Sequence, residues 1–459
     1  MFKGKEKVHL VGIGGIGMSG IAQLLLDMGC EISGSDLKDS ALIEKMRHRG
    51  AKIHIGHKAS NLADAQLVIF TPALENGNPE IKLARAKGIP ALSRAQALAE
   101  LANQKKTIAV TGAHGKTTTS SLISHMLVNC GLKPTICVGG ELFSLDGNAF
   151  SGSGNYFVLE ADESDGSFLT LNPFYSVITN IDREHLDYYR DFEHIIDTFR
   201  KFMQNTREEG ALFCCKDDSQ LMHIAGNLER KIVSFGLSAQ ADVFAQDVVL
   251  EEDTSDFECI SAGRQAGRVT LHIPGRHNVS NALAAIAVGL EMGIDFDDIR
   301  KALMSYKGVR RRMELKLRQN DIMIFEDYAH HPTEIKVTLD AFKNYKHKRI
   351  LAVFQPHRYT RTKFLLDDFA TCFQGVDHLI VTDIYAASEP AIEGVDAAKI
   401  CEKARLVGVK NARFLPKYDI LQSLIQEIKP GDLVAIMGAG DIGSLASVLA
   451  EEVKKTLAL

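Results

Sequence analysis

Apolar and polar positions alternate along this chain in two registers. Runs of about five apolar residues, such as VHLVGI and LVIFTPA, read as buried strands, and longer segments of helical period such as IAQLLLDMG lie between them. That alternation predicts α/β architecture on parallel sheets, because parallel strands need helical crossovers that cover the sheet faces. The pattern restarts at TIAVTGAHGKTTT and again near ILAVFQPH, each time as a strand-like run entering a loop and then a helix, so three domains are expected. A polar NQKK segment marks the first boundary and the basic stretch SYKGVRRRME the second, dividing the chain into 1–104, 105–310 and 311–459. Residues 236–272 read instead as short strands joined by polar turns, an antiparallel insert at the edge of the middle domain.

Composition narrows the function class. The 459 residues, 45% of them hydrophobic, can fill several cores, and a net charge of −5 without any block of like charge argues against nucleic acid or a membrane surface as partner. The N-terminal stretch is broken by glycines and carries no small-residue cleavage site, and no run approaches the ~20 apolar residues of a bilayer span, so a cytoplasmic location is expected. Eight cysteines are scattered without a C-x-x-C pair and read as reduced thiols.

The strongest chemical signal is TGAHGKTTT, a glycine-rich turn between a strand at Ile108 to Val110 and a helix. Backbone N–H groups of such a loop at a helix N-terminus surround a triphosphate, with Lys116 reaching the terminal phosphates and the Thr117 hydroxyl available to Mg²⁺. The loop is shorter than the common G-x-x-x-x-G-K-[ST], since Val110 stands where the first glycine would be. YFVLEADESDGSF ends a strand in Glu160, Asp162, Glu163 and Asp165, where hard carboxylate oxygens either suit Mg²⁺ or form an ordinary acidic loop. SVITNIDREHLDYY places His185 and Asp187 after the next strand, with a metal ligand or a helix cap as the two readings of the histidine.

VGIGGIGMSG carries G-x-G-x-x-G at Gly12, Gly14 and Gly17, with a following strand ending at Asp36, a fingerprint for a pyrophosphate at a helix N-terminus. The same spacing at Gly438, Gly440 and Gly443 reads as close strand-to-helix packing. Asn278 and Asn281 open an apolar helix, where they cap it or reach a purine, and Arg310, Arg311 and Arg312 are either solvated linker charges or a phosphate clamp. Asp327, His330, His331, Arg358 and Arg361 gather at strand ends of the last domain and together indicate a site.

In order along essentially the whole chain, GIGGIGMSG, GAHGKTTT, EADESDGSF, HNVSNALAA, DYAHHPTE and PHRYTRT resemble the Mur ligases, which add amino acids to the nucleotide-linked muramic acid precursor of bacterial peptidoglycan. The resemblance implies a Rossmann-like N-terminal domain, a central P-loop ATPase-type domain with a parallel sheet and a small antiparallel insert, and a Rossmann-like C-terminal ligase domain. It implies ATP at Gly112, Ala113, His114, Gly115, Lys116, Thr117 and Thr118, with Asn278 and Asn281 by the adenine and Asp327 by the ribose. Magnesium would lie at Thr117, Glu160 and His185, and catalysis would fall to Lys116, Glu160, His185 and Arg312. The UDP-linked substrate would meet Gly12, Gly14, Gly15, Gly17 and Asp36, with His330, Arg358 and Arg361 on its far side. NIDREHLD departs from the usual family form, which has Ala and Asp before the histidine.

Within the family the strings follow the pattern for joining L-alanine to UDP-N-acetylmuramate. A relative that recycles murein tripeptide onto the same sugar shares the first loop and the histidine pair, but Ser164, Gly166 and Ser167 follow the alanine-adding pattern. The expected reaction passes the γ-phosphate of ATP to a carboxylate, giving an acyl phosphate that an amine attacks, since a free carboxylate is a poor electrophile. Two readings from other classes are an NAD-dependent oxidoreductase, which leaves TGAHGKTTT unexplained, and a nucleotide-binding regulator, against which the clustered acids, histidines and arginines argue.

Overall fold

The computed structural model describes the whole chain except residues 1, 3, 72, 73, 75, 76, 144, 146, 186, 187, 388, 458 and 459, so Asp187 lies outside the described residues. Three sheets follow one another along the chain. The first has five strands, all parallel, in the spatial order Lys52–Ile55, Glu31–Asp36, Lys7–Val11, Leu67–Phe70, Ala91–Ser93. Its central strand is buried from Val8 to Val11, the polar His9 included, because helices cover both faces.

The second sheet has ten strands. Lys106–Thr111 lies near its middle, between Tyr156–Glu160 and Tyr175–Ile178, all three parallel. Their carboxyl ends therefore open on one edge of the sheet, where α/β folds bind ligands. The antiparallel insert is a meander of Val243–Leu250, Ser255–Ser261 and Arg264–Leu271 at one margin, joined to the parallel part by a short parallel pairing of Val243 and Phe244 with Phe235 and Gly236. At the opposite margin Thr135–Leu142 and Gly147–Phe150 form a second antiparallel pair that the hydrophobic pattern does not announce.

The third sheet runs Glu314–Gln319, Ile322–Asp327, Asp432–Met437, Arg349–Phe354, His378–Val381, Asn411–Phe414, with only the first strand antiparallel. The glycines at its end do serve packing. A Cβ on Gly440 would meet Gln355 Oε1 and the Tyr385 ring, and one on Gly443 would meet Glu326 Oε1.

The first and central sheets share one continuous apolar core, and polar contacts add to the joins between domains. Arg94 Nη2 lies 3.3 Å from Asp162 Oδ2, tying the first sheet's last helix to the central acidic loop. The turn of the meander reaches the third sheet, where Tyr345 Oη donates to Asp253 Oδ1 at 3.1 Å and Arg318 Nη1 lies 3.3 Å from Glu252 Oε2. Among the described residues no helix is long and apolar enough to cross a membrane.

Candidate functional site

The glycine-rich loop follows Lys106–Thr111 directly, and the helix Lys116–Asn129 begins at the lysine itself. Three successive β-branched threonines hide this start in the sequence, and Gly115, at φ +82°, ends the loop one residue before Lys116. No Cβ fits at Gly112, where it would collide with the Thr179 hydroxyl, and one on Gly115 would stand 2.7 Å from Asn281 Oδ1. The loop is thus wedged between the neighbouring strand end and the helix Arg276–Glu291.

Lys116 folds back on its own loop, donating to Gly112 O at 2.6 Å, Ala113 O at 3.1 Å and Glu163 Oε1 at 2.7 Å. Burial opposes its charge, but Glu163 and Glu160 outweigh it and hold the ammonium above its ordinary range. Thr117 Oγ1 donates to Glu160 Oε1 at 3.2 Å, and Glu160 Oε2 accepts the Gly139 N–H at 2.9 Å. Burial pushes the Glu160 carboxyl up against the pull of Lys116. A hydroxyl in the first turn of the helix and a half-buried carboxylate at the neighbouring strand end form a hard oxygen donor pair of the kind Mg²⁺ takes. His185 lies beside a different carboxylate, its Nε2 3.5 Å from Glu163 Oε1, and it does not cap a helix: the next one, Phe192–Gln204, is capped by Asp191.

Two cavities meet at this loop. One, of about 860 Å³, is lined by His114, Thr118, Asn278, Asn281 and Asp327, with Tyr345 and Asp253 on its outer wall. The other, of about 950 Å³, is lined by Gly17, Lys116, Glu160, His185, His330 and Arg361. Gly115, Thr117, Arg312 and Glu334 border both. Asn278 and Asn281 are not caps. Gly275 begins their helix, Asn278 Nδ2 donates to Pro274 O at 2.7 Å, and Asn281 Oδ1 accepts from the Thr119 hydroxyl at 3.1 Å. Both Asp327 oxygens accept backbone N–H groups, of Met313 and Ala329, while burial pushes its carboxyl up to about 6.

The three linker arginines all line the larger cavity, but with different partners. Arg310 goes to Glu141 and the Phe143 ring, Arg311 to Glu326 and the carbonyls of Gly438 and Gly440, and Arg312 projects between the cavities over the Tyr328 ring, its Nη1 3.7 Å from Glu334 Oε1. Arg361 Nη2 lies 3.1 Å from Glu184 Oε2, and Arg358 lines, with Arg183, a small cleft that shares Glu184, His185 and Arg361 with the larger cavity. On the first sheet, Gly17 faces the larger cavity. Asp36 is engaged by its own loop instead, accepting the Gly14 N–H at 2.8 Å and the Leu37 N–H at 2.7 Å; Gly12 and Ile13 both donate to Ser35 O.

Sequence reasoning passed over Asp182 and Glu334, which join the central and last domains through the loop histidine. His114 Nε2 donates to Asp182 Oδ2 at 2.8 Å, and His114 Nδ1 lies 3.7 Å from Glu334 Oε1. Burial works against the charge, yet the two carboxylates push the imidazole up to about 9, and His114 in turn overcomes burial to hold Asp182 down at about 2. Because the folded-state value of His114 lies above its ordinary 6.5, its contribution is complete below pH 6.5 and is lost as the pH rises through about 9. The full shift corresponds to about 3 kcal/mol at most. Wild type is therefore expected to lose several degrees of thermal midpoint between pH 6.5 and 9 that a His114→Gln variant does not lose; parallel melting curves would refute the bridge.

Three family models match the chain in sequence: "Mur ligase family, catalytic domain" over residues 7–106, "Mur ligase middle domain" over 110–289 and "Mur ligase, glutamate ligase domain" over 311–440. A UDP-N-acetylmuramate–L-alanine ligase of Desulfatibacillum aliphaticivorans is 44% identical over 444 residues, covering 96% of this chain and 97% of the relative. Among solved structures, the UDP-N-acetylmuramate-alanine ligase of Thermotoga maritima superposes with a TM-score of 0.84 at 29% identity, over 98% of this chain and all of the other. A murein peptide ligase of Psychrobacter arcticus shares the fold at TM-score 0.73 and 24% identity, over 97% and 98% of the two chains.

Proposed function

The chain belongs to the Mur ligase family, and from that premise we propose that it joins L-alanine to the lactyl carboxylate of UDP-N-acetylmuramate at the expense of ATP, in peptidoglycan synthesis. The observation that carries the reading is the shared wall of the two cavities. A nucleotide in the smaller one, with its phosphates on Gly112 to Thr118, would deliver its γ-phosphate past Thr117 and Arg312 into the larger one. There it would meet a carboxylate brought from the side of Gly17.

Lys116 and Arg312 offset the charge of the transferring phosphoryl group, and the buried site strengthens both. Thr117, Glu160 and, after a shift away from Glu163, His185 would hold Mg²⁺, which supplies further charge neutralisation when bound. Asn278 and Asn281 support the base side of the nucleotide pocket and Asp327 its ribose side. Gly12, Gly14, Gly15 and Gly17 receive the UDP diphosphate, with Asp36 fixing their loop, and Arg358 and Arg361 face the substrate from the last domain. We assign 1–104 to UDP-substrate binding, 105–310 to ATP binding and 311–459 to ligation, with cytoplasmic residence as the enzyme's place of work.

The test is phosphate release from ATP, Mg²⁺ and UDP-N-acetylmuramate, with L-alanine or L-Ala-γ-D-Glu-meso-diaminopimelate in separate reactions. Release that depends on L-alanine is expected. Release only with the tripeptide would transfer the assignment to murein recycling, and release with neither would refute both.

A further inference from the structure

L-alanine enters the reaction as an ammonium ion, and only its free amine attacks a carbonyl, so the larger cavity needs a group that takes a proton. Two histidines line that cavity among the described residues, His185 and His330. We propose that His330 is the base that deprotonates the incoming amino group, an inference that rests on the ligase reading above.

The argument is one of tautomers. His330 Nδ1 lies 2.9 Å from Tyr328 O and 3.2 Å from Glu334 Oε2, two acceptors, so the ring proton sits on Nδ1 and Nε2 carries the lone pair. The neighbouring histidines are set the other way. Arg361 Nη1 donates to His357 Nδ1 at 3.0 Å, and the Thr333 N–H donates to His331 Nδ1 at 3.3 Å, which leaves the proton of each on Nε2. His114 faces carboxylates through both nitrogens and is already an imidazolium. His185 is the residue proposed above to turn to Mg²⁺, and its Nε2 faces Glu163 Oε1 at 3.5 Å.

The His330 ring is fixed in place. Its own backbone N–H donates to Glu334 Oε2 at 3.1 Å, and it packs edge-on against Tyr328 and His357. Glu334 presents its other oxygen to Arg312, so one carboxylate connects the proposed base to the guanidinium on the phosphate side. Burial and Arg361 lower the basicity of the imidazole while Glu334, Glu184 and the Tyr328 carbonyl raise it, and the net value of about 4 keeps the ring neutral at physiological pH. A bound polyphosphate adds negative charge nearby and moves that value upward.

The step balances. The ammonium gives one proton to His330 Nε2, and the resulting imidazolium is held through Nδ1–H by Glu334. The amine nitrogen forms a bond to the acyl-phosphate carbon, the bond from that carbon to the phosphate oxygen breaks, and the phosphate leaves with the second nitrogen proton.

Hydroxylamine separates this role from a structural one, because its nitrogen is unprotonated at neutral pH and attacks an acyl phosphate without a base. In full-length His330→Gln, phosphate release with L-alanine is expected to fall by about 10²–10³-fold, whereas release with hydroxylamine falls by only a few-fold. The residual L-alanine rate should also climb with pH as solvent deprotonates the amine. Equal losses with the two nucleophiles, or an L-alanine rate within about threefold of wild type, would overturn the assignment. A wild-type enzyme that releases no phosphate with L-alanine would instead refute the ligase reading.

Discussion

Replacing Lys116 with alanine is expected to lower turnover by at least about 10²–10³-fold while leaving a folded protein. The side chain is the cation of the phosphate loop, and it donates to Gly112 O, Ala113 O and Glu163. Binding of a triphosphate must draw it off those partners, so the loop exchanges one set of charge-assisted bonds for another and pays no fresh desolvation for the ammonium. The alanine variant loses the phosphate contact and also leaves Glu163, 3% exposed, without its closest cation. Removing one member of a buried pair destabilises by about 3–5 kcal/mol, and His185 at 3.5 Å from the same oxygen keeps the loss near the lower figure. The double variant Lys116→Ala with Glu163→Gln should therefore recover thermal midpoint and recover no activity. Turnover of the single variant within tenfold of wild type would remove Lys116 from the phosphate site. A double variant as unstable as the single would refute the ion-pair account.

What could be read in the chain was whatever its local order encodes. TGAHGKTTT is legible because strand, turn, lysine and helix are contiguous, and EADESDGSF because an apolar run ends abruptly in carboxylates. Glu334 was not, although it stands three residues beyond the histidine pair. Its helix is capped by His331, with Glu334 returning to the backbone of His331, and a histidine cap escapes the Ser/Thr pattern by which such boxes are recognised. Nor does sequence spacing show that this carboxylate meets His114 from another domain. Asp182 is hidden for the same reason, since its partners His114 and Thr333 lie 68 and 151 residues away. The meander was legible as alternating short strands, yet its attachment through Phe235 and Gly236 depends on a parallel pairing that alternation cannot specify.

The run Arg310, Arg311 and Arg312 illustrates the limit and supplies the second large effect. Arg311 and Met313 take φ of +63° and +45° on either side of Arg312, and although all three arginines line the larger cavity, each guanidinium meets a different carboxylate. Only Arg312 reaches both cavities' shared wall, stacked on Tyr328 and drawn towards Glu334 and Asp327, whose carboxylates outweigh burial and keep it charged. Arg312→Ala is accordingly expected to reduce kcat by about 10²–10³-fold. Arg312→Lys should fall between, because an ammonium keeps the charge and loses the planar fork that meets two phosphate oxygens at once. Arg310→Ala supplies the comparison: its guanidinium is half-exposed against Glu141 and Phe143, and its loss should change kcat by a few-fold at most. Steady-state phosphate release on the three variants decides the matter. If Arg310→Ala proves as damaging as Arg312→Ala, the linker acts through its summed charge, and the separate direction of each arginine has no catalytic consequence.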